Sequence, residues 1–281
     1  MKGIFWNSRG LKDLAKTRFL SEISKEQKLD FIALLETSKN KYTDSWLKSI
    51  YGGREFLWHW TRPKGRSEGI LLGVNLEYFK VSSIDEGDFY VKFHVRNKED
   101  AFQWILVAVY GATQEEYKEA FLTELVNSCR KEALPMVIGG DFNIIRKPQE
   151  KNNANFNVKW SFLFNAVINS LNLREIILSG RKFTWANAMP NPTYEKLDRV
   201  LVSTEWEVKN PLVTVHALSR DLSDHTPMLL DTCKGSHKDS QPLFKFELGW
   251  LLREDFQKLL ANIWTKDVRG ATNIARWQNK I

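Results

Sequence analysis

Short apolar runs of strand length punctuate this chain, and a polar residue closes most of them. Phe31-Ile32-Ala33-Leu34-Leu35 is continuous and apolar, as a strand buried on both faces should be, and it ends on Glu36. Lys2 to Trp6 is followed by Asn7, Leu106-Val107-Ala108-Val109 by Tyr110, and Met136 to Gly139 by Gly140 and Asp141. No run approaches the roughly 20 apolar residues that a membrane span needs. Phe56–Trp60, Gly69–Val74, Tyr78–Ser83, Gln103–Tyr110, Val213–Leu218 and Pro227–Leu230 read as further strands. Phe89–Arg96 alternates apolar and polar residues, the pattern of a half-buried strand.

Helical spacing appears between these runs. Leu11, Leu14, Ala15, Phe19, Leu20 and Ile23 recur at it. So do residues of Tyr117–Lys131, with Ala120, Phe121, Leu125 and Val126 on one face, and of Trp160–Leu171. Phe183–Trp185 and Leu197–Ser203 flank a loop rich in Asn and Pro and read as a hairpin. Many strands with fewer helices between them predict an α/β (α+β) fold of two sheets packed face to face with helices outside.

Composition turns after Leu230. Residues 1–231 form the predicted main domain. Residues 232–242, polar and containing Gly235, Ser240 and Pro242, read as a linker. Residues 243–281 read as a helical extension, with Leu252, Phe256, Leu259, Leu260 and Ile263 on one helical face. The chain carries 11 Trp and 17 Phe, which argues against disorder. Its two cysteines, Cys129 and Cys233, make neither a disulfide framework nor a zinc quartet, and Cys129 reads as a small buried hydrophobe. The N-terminus has no long apolar core of a signal peptide, so nucleus or cytoplasm is the expected location. The net charge of +7 suits a polyanionic partner, although many unrelated proteins carry such a charge.

Six local signals can carry chemistry. In Gly139-Gly140-Asp141-Phe142-Asn143 a buried strand presents a carboxylate and a carboxamide; the bland alternative is a Gly-Asp turn with an Asx hydrogen bond. In Ser223-Asp224-His225 an acid and an imidazole stand at a strand entrance, able to supply a metal ligand and a general acid. Glu36 closes a buried strand, where a carboxylate is costly unless paired or bound to a cation, or is simply a surface residue past the strand end. Asn7 and Tyr110 follow strands and read equally as turn and core residues. Asp198 interrupts Leu197-Asp198-Arg199-Val200-Leu201, and a strand-edge charge would account for it.

Each signal is weak alone, but their order resembles the endonuclease/exonuclease/phosphatase superfamily from Lys2 to about Leu230. Within it the chain looks most like the apurinic/apyrimidinic-type endonuclease domain of plant LINE (non-LTR) retrotransposons. The phrases carrying that likeness are Phe5-Trp6-Asn7-Ser8-Arg9-Gly10-Leu11, Arg181-Lys182-Phe183-Thr184-Trp185-Ala186-Asn187 and Lys196-Leu197-Asp198-Arg199-Val200-Leu201-Val202-Ser203. Pro242-Leu243-Phe244-Lys245-Phe246-Glu247 with Trp250 resembles the segment leading toward reverse transcriptase.

The resemblance implies a DNase I-like, four-layer α/β/β/α sandwich and a DNA-nicking phosphodiesterase that leaves a 3′-hydroxyl. It implies Mg²⁺, or Mn²⁺, on Glu36, Asn7 and Asp224, and no small-molecule cofactor. Asp141 would activate water, Asn143 would position Asp141 and contact the phosphate, and Tyr110 would contact the scissile phosphate. His225 would bond a phosphoryl oxygen while Asp198 holds its imidazole. Double-stranded DNA would be the partner, met by Arg62, Lys64, Arg66, Arg181, Lys182, Thr184, Asn187, Lys196 and Arg199. A reverse transcriptase domain would accompany it in a full-length element. Plant relatives often have two glycines before the strand at Ile70; here the pair is Glu68-Gly69, placing a carboxylate near the expected DNA path. The competing readings are a degenerate nucleic-acid-binding remnant and another phosphoesterase of the same fold.

Overall fold

A computed structural model describes residues 1–64, 68–232 and 254–265. The chain divides into two units, Met1–Lys234 and Gly235–Ile281. The first unit opens with β1 (Lys2–Asn7), α1 (Leu14–Gln27), β2 (Phe31–Leu35), α2 (Asp44–Tyr51), β3 (Phe56–Trp60) and β4 (Ile70–Asn75). It continues with β5 (Phe79–Glu86), β6 (Tyr90–Asn97), β7 (Gln103–Tyr110), α3 (Lys118–Arg130), β8 (Met136–Asp141) and α4 (Val158–Ser170). Next come β9 (Leu173–Glu175), β10 (Leu178–Ser179), β11 (Trp185–Ala186), β12 (Tyr194–Glu195) and β13 (Asp198–Ser203). α5 (Thr204–Lys209), β14 (Thr214–Ala217) and β15 (Met228–Asp231) complete it. In the second unit, α6 spans Glu254–Thr265 and includes Phe256, Leu259 and Leu260 of the predicted face. Leu252 and the predicted linker, apart from Thr232, lie outside the described residues, as does Cys233.

Two sheets form the centre. One has the order β10-β14-β15-β1-β2-β4-β3 and the other β5-β6-β7-β8-β13-β9. β1 lies parallel to β2 and antiparallel to β15, while β8 lies parallel to β7 and antiparallel to β13. The inner faces meet through Phe5, Phe31, Ala33 and Leu72 from one sheet and Phe93, Leu106, Ala108 and Val200 from the other. Outside the first sheet, Ile4, Trp6, Ile32 and Leu34 pack on Leu20 and Ile23 of α1 and Leu47 and Ile50 of α2. Outside the second, Ile105, Val107 and Ile138 pack on Phe121 and Leu125 of α3 and Phe164 and Ile168 of α4. Both faces of each central strand are therefore apolar, which is why these runs read as continuous hydrophobic stretches. The result is the four-layer, DNase I-like sandwich.

Side-chain caps set the helix starts. Asp13 accepts from the Ala15 amide, Thr43 from Trp46, and Asn157 from Lys159 and Trp160, satisfying donors that the first turn leaves unpaired. The two glycines before Asp141 are sterically required. A Cβ on Gly139 would stand 2.5 Å from the Phe5 ring, and one on Gly140, at φ 139°, would stand 2.1 Å from the Val109 carbonyl oxygen.

The structure departs from the sequence reading in places. The strand partner of β11 is β12 rather than the run at Leu197, which as β13 joins the second sheet. Helix α2, capped by Thr43 and too short for a clear periodic signal, was not predicted. Leu14 is exposed at the start of α1, and α3 buries Phe121, Leu122, Leu125 and Cys129 while Ala120 faces solvent. No described helix is long and apolar enough to cross a membrane.

Candidate active site

Strand register lines up the polar ends. Asp141 pairs with Tyr110 of β7 on one side and with Asp198 of β13 on the other. In the facing sheet Asn7 pairs with Leu35, which places Glu36 one residue beyond. His225 precedes β15, the other neighbour of β1. The site is thus built where several strands of both sheets end together.

A buried hydrogen-bonded chain runs through it. The Asn7 amide donates to Asp141 Oδ2 at 2.8 Å and lies 3.4 Å from His225 Nε2. His225 Nδ1 sits 2.9 Å from Asp198 Oδ2, an arrangement that fixes the Nδ1–H tautomer and turns Nε2 toward Asp141, 3.7 Å away. The Asn143 amide donates to Asp141 Oδ1 at 2.9 Å from a left-handed backbone, φ 50°. Its side-chain amide is used on the Gly111 carbonyl at 2.9 Å, and Lys118 Nζ holds its own carbonyl at 2.9 Å. Thr184 Oγ1 accepts from the amides of Leu197 and Asp198 at 3.0 and 2.9 Å, anchoring the strand that carries Asp198.

Burial and neighbouring charge shift two titratable groups of this hydrogen-bonded chain, Asp141 and His225, upward. Burial pushes the Asp141 carboxyl up, against the opposing charge of His225. Burial pulls the imidazole the other way, yet Asp198 and Asp141 outweigh it and hold His225 above the usual histidine range.

Beside it, burial raises the Glu36 carboxyl, while the Asn7 amide lowers it. The Tyr110 hydroxyl donates to Glu36 Oε2 at a long 3.4 Å, and burial followed by the Glu36 charge raises the phenol. An under-compensated carboxylate with a carboxamide neighbour and no thiol is a donor set that fits a hard, oxygen-preferring cation. Asp224 is close enough for its charge to raise Glu36 further, but its carboxylate is taken by Arg9 and by Trp185 Nε1, the latter at 3.0 Å. Asp141, Asp198 and His225 also bring ligand atoms within 4.8 Å of one another. A cation there would have to displace the Asp198–His225 hydrogen bond, so Glu36 is the better fit.

The structure separates the expected DNA contacts. Thr184 is fully buried and serves the Asp198 strand. Arg199 is 1% exposed and pairs with Glu150 at 2.8 Å and Glu175 at 3.1 Å, because β13 lies between β8 and β9 and its Arg points into an acidic pocket. Neither can meet DNA. Lys196 is bonded to Glu175, and Asn187 accepts from the Thr193 amide at 2.8 Å inside the hairpin loop. Arg62, Lys64, Arg181 and Lys182 are exposed; Arg66 lies outside the described residues. Glu68 is exposed, and its charge contributes to raising Tyr110, so it does stand beside the site. Sequence reasoning missed Arg9, Lys16 and Lys118. The only available signal was a non-glycine residue directly before Gly10 in a turn, and basic residues early in two helices.

Fold and site together define a two-sheet phosphoesterase with its polar groups at converging strand ends. The chain belongs to the endonuclease/exonuclease/phosphatase family, whose profile matches residues 4–225, a span that contains every site residue from Asn7 to His225. No curated protein matches it significantly. Among solved structures, the endonuclease domain of TRAS1, a telomere-specific non-LTR retrotransposon, aligns with a TM-score of 0.62 at 15% identity, over 82% of this chain and 97% of that one. The AP endonuclease LMAP from Leishmania major aligns with a TM-score of 0.66 at 15% identity, over 82% and 86%. The 3′ phosphatase NExo from Neisseria, bound to product DNA hairpin, aligns with a TM-score of 0.65 at 14% identity, over 82% and 98%. At such identities the likeness is one of fold.

Proposed function

We propose that this chain is a Mg²⁺-dependent phosphodiesterase that nicks double-stranded DNA, the endonuclease of a LINE-type retrotransposon. The nick would leave a 3′-hydroxyl for target-primed reverse transcription, with a reverse transcriptase domain as the companion in a full-length element. The observation that carries the reading is the buried chain Asn7–Asp141–His225–Asp198 beside the under-compensated Glu36 carboxylate. Similarity in fold to the TRAS1 domain and to two other DNA-processing enzymes supports the choice of substrate.

In this reading the reaction is an in-line displacement at phosphorus. Asp141, held by the Asn7 side chain and the Asn143 amide, takes the proton of the attacking water. His225 as the imidazolium donates from Nε2 to a phosphoryl oxygen, where negative charge grows, while Asp198 accepts from Nδ1–H, orients the ring and favours its charged form. Tyr110 orients Glu36 and stands ready for the phosphate. Glu36 and Asn7 would hold Mg²⁺, with Asp224 joining if Arg9 releases it; the ion would supply charge stabilisation at the phosphoryl oxygens.

Nicking of supercoiled plasmid tests this. Wild type should convert it to open circles with Mg²⁺ or Mn²⁺ and lose that activity in EDTA. Full activity in EDTA would sink the metal-dependent mechanism. Duplex binding without nicking under any divalent ion would favour a degenerate remnant, the outcome that Glu68 and the Arg9–Asp224 pair would then explain.

A further inference from the structure

The turn after β1 carries a charged group that this chemistry leaves unused. Arg9 is in the left-handed region at φ 45°, and Gly10 follows at φ 83°. Such a conformation is unfavourable for a residue with a Cβ and persists only where the surroundings enforce it. Here they do. Lys16, buried at the start of α1, directs its ammonium at three successive carbonyls, those of Ser8, Arg9 and Gly10, at 2.6, 3.1 and 3.1 Å. An ammonium has three donors, so its capacity is filled. The Ser8 and Gly10 amides donate to the carbonyls of Leu35 and Glu36 at 3.0 and 2.6 Å, and the Arg9 amide donates to Asn7 Oδ1 at 3.1 Å. Every backbone N–H and C=O of Ser8, Arg9 and Gly10 is therefore bonded.

This rigid turn holds the Arg9 side chain outward, 63% exposed, with one Nη1 on Asp224. Asp224 is the neighbour of His225, and the Arg9 charge reaches Glu36. A guanidinium has five N–H donors, and the remaining four make no hydrogen bond to described residues. The pair with Asp224, whose side chain is only 15% exposed, takes one edge of the guanidinium and leaves the rest of it open beside the site.

We propose that Arg9 is a substrate contact, a second anion-binding group that takes a backbone phosphodiester next to the one cleaved, with Lys16 as the positioning residue that locks its turn. A guanidinium is suited to this because it can hold a carboxylate on one edge and a phosphate on another. The inference rests on the nucleic-acid reading above.

Binding is measured apart from cleavage, by fluorescence anisotropy of a labelled duplex with the full chain in EDTA across a KCl series. Arg9→Met should weaken the Kd by about 10-fold near 0.1 M salt and make the slope of log Kd against log salt shallower by about 1, the signature of one lost phosphate contact. Arg9→Lys should keep the slope. Lys16→Met should weaken binding in the same direction and add little in the Arg9→Met background. An unchanged Kd and slope in Arg9→Met overturns the proposal while leaving the nuclease reading intact. So does unchanged duplex binding with tighter Mn²⁺ binding, which would make Arg9 only the counter-ion of Asp224. A wild type that fails to bind duplex both in EDTA and with Ca²⁺ in its place removes both readings.

Discussion

Asp141 and His225 are each useless to the proposed reaction without the other's environment. Asp141 is fully buried, and its carboxyl is ordered by Asn7 and the Asn143 amide. His225 is ordered by Asp198. Asp141→Ala and His225→Ala should each lower the nicking rate at least ~10²-fold, as loss of a positioned acid–base group does. Because both serve one transition state, the double variant should lose far less than the product of the two. Rates near wild type for either single variant would reject the assignment. The residue types and their order were legible in the sequence, since each sits at the polar end of an apolar run. The Asx hydrogen bond expected at Asp141 is present, donated by the Asn143 amide, but the strand-edge reading of Asp198 does not hold. A strand-edge charge would be solvated, whereas Asp198 is 2% exposed and bonded to an imidazole 27 positions away.

At the scale of elements, the hairpin β11–β12 is tied directly to the site. Trp185 bridges His225, the Ala186 amide donates to the Asp224 carbonyl at 3.2 Å, and Trp185 Nε1 reaches the Asp224 carboxylate. Its loop is clamped from the side by Asn152, which donates to the Pro192 carbonyl and accepts from the Tyr194 amide, both at 2.9 Å. Under the proposed nuclease reading, a loop tied in this way to Asp224 and His225 is placed to read DNA shape beside the cut. Replacing the loop residues 187–193 with a different hairpin turn should move the nick sites on a mapped plasmid more than it lowers the total rate. An unchanged cleavage pattern would assign specificity elsewhere. Sequence reasoning found this loop from its Asn and Pro content but mispaired its second strand, because alternation alone does not say which sheet a short run joins.

Over the whole molecule, one ion-pair network ties β9, β13 and the loop after β8 together. Burial pushes the Glu175 carboxyl up, but Arg199, Lys196 and Arg146 overcome it and hold it at about 2. A carboxyl depressed on folding contributes stability above its unfolded pKa, near 4.3, and loses it as pH falls toward the folded value. The melting temperature of wild type should therefore fall more steeply than that of Glu175→Gln between about pH 4.5 and pH 2. Parallel curves would show that Glu175 adds nothing to the acid transition. The second test at this scale concerns the tail. All proposed site residues lie between Asn7 and His225, and the family match ends at 225. Truncation after Asp231 should leave a soluble fragment with an unchanged melting temperature and rate. An insoluble or strongly destabilised fragment would make the tail part of the fold.

The sequence by itself determined the layered architecture and the roster of strand-end residues. Both follow from local patterns: continuous apolar runs where strands are covered on two faces, and polar residues where those strands emerge. Only the tertiary structure decided which of those residues touch. The Asn7–Asp141 hydrogen bond joins positions 134 apart, and it exists because β1 and β8 lie in facing sheets whose ends converge. The same non-local packing buried Thr184 and Arg199, which the resemblance had placed against DNA. It also turned Arg9 outward on a backbone that Lys16 holds in place. Polarity and period are properties of a segment, while burial and partnership belong to the neighbours that folding supplies.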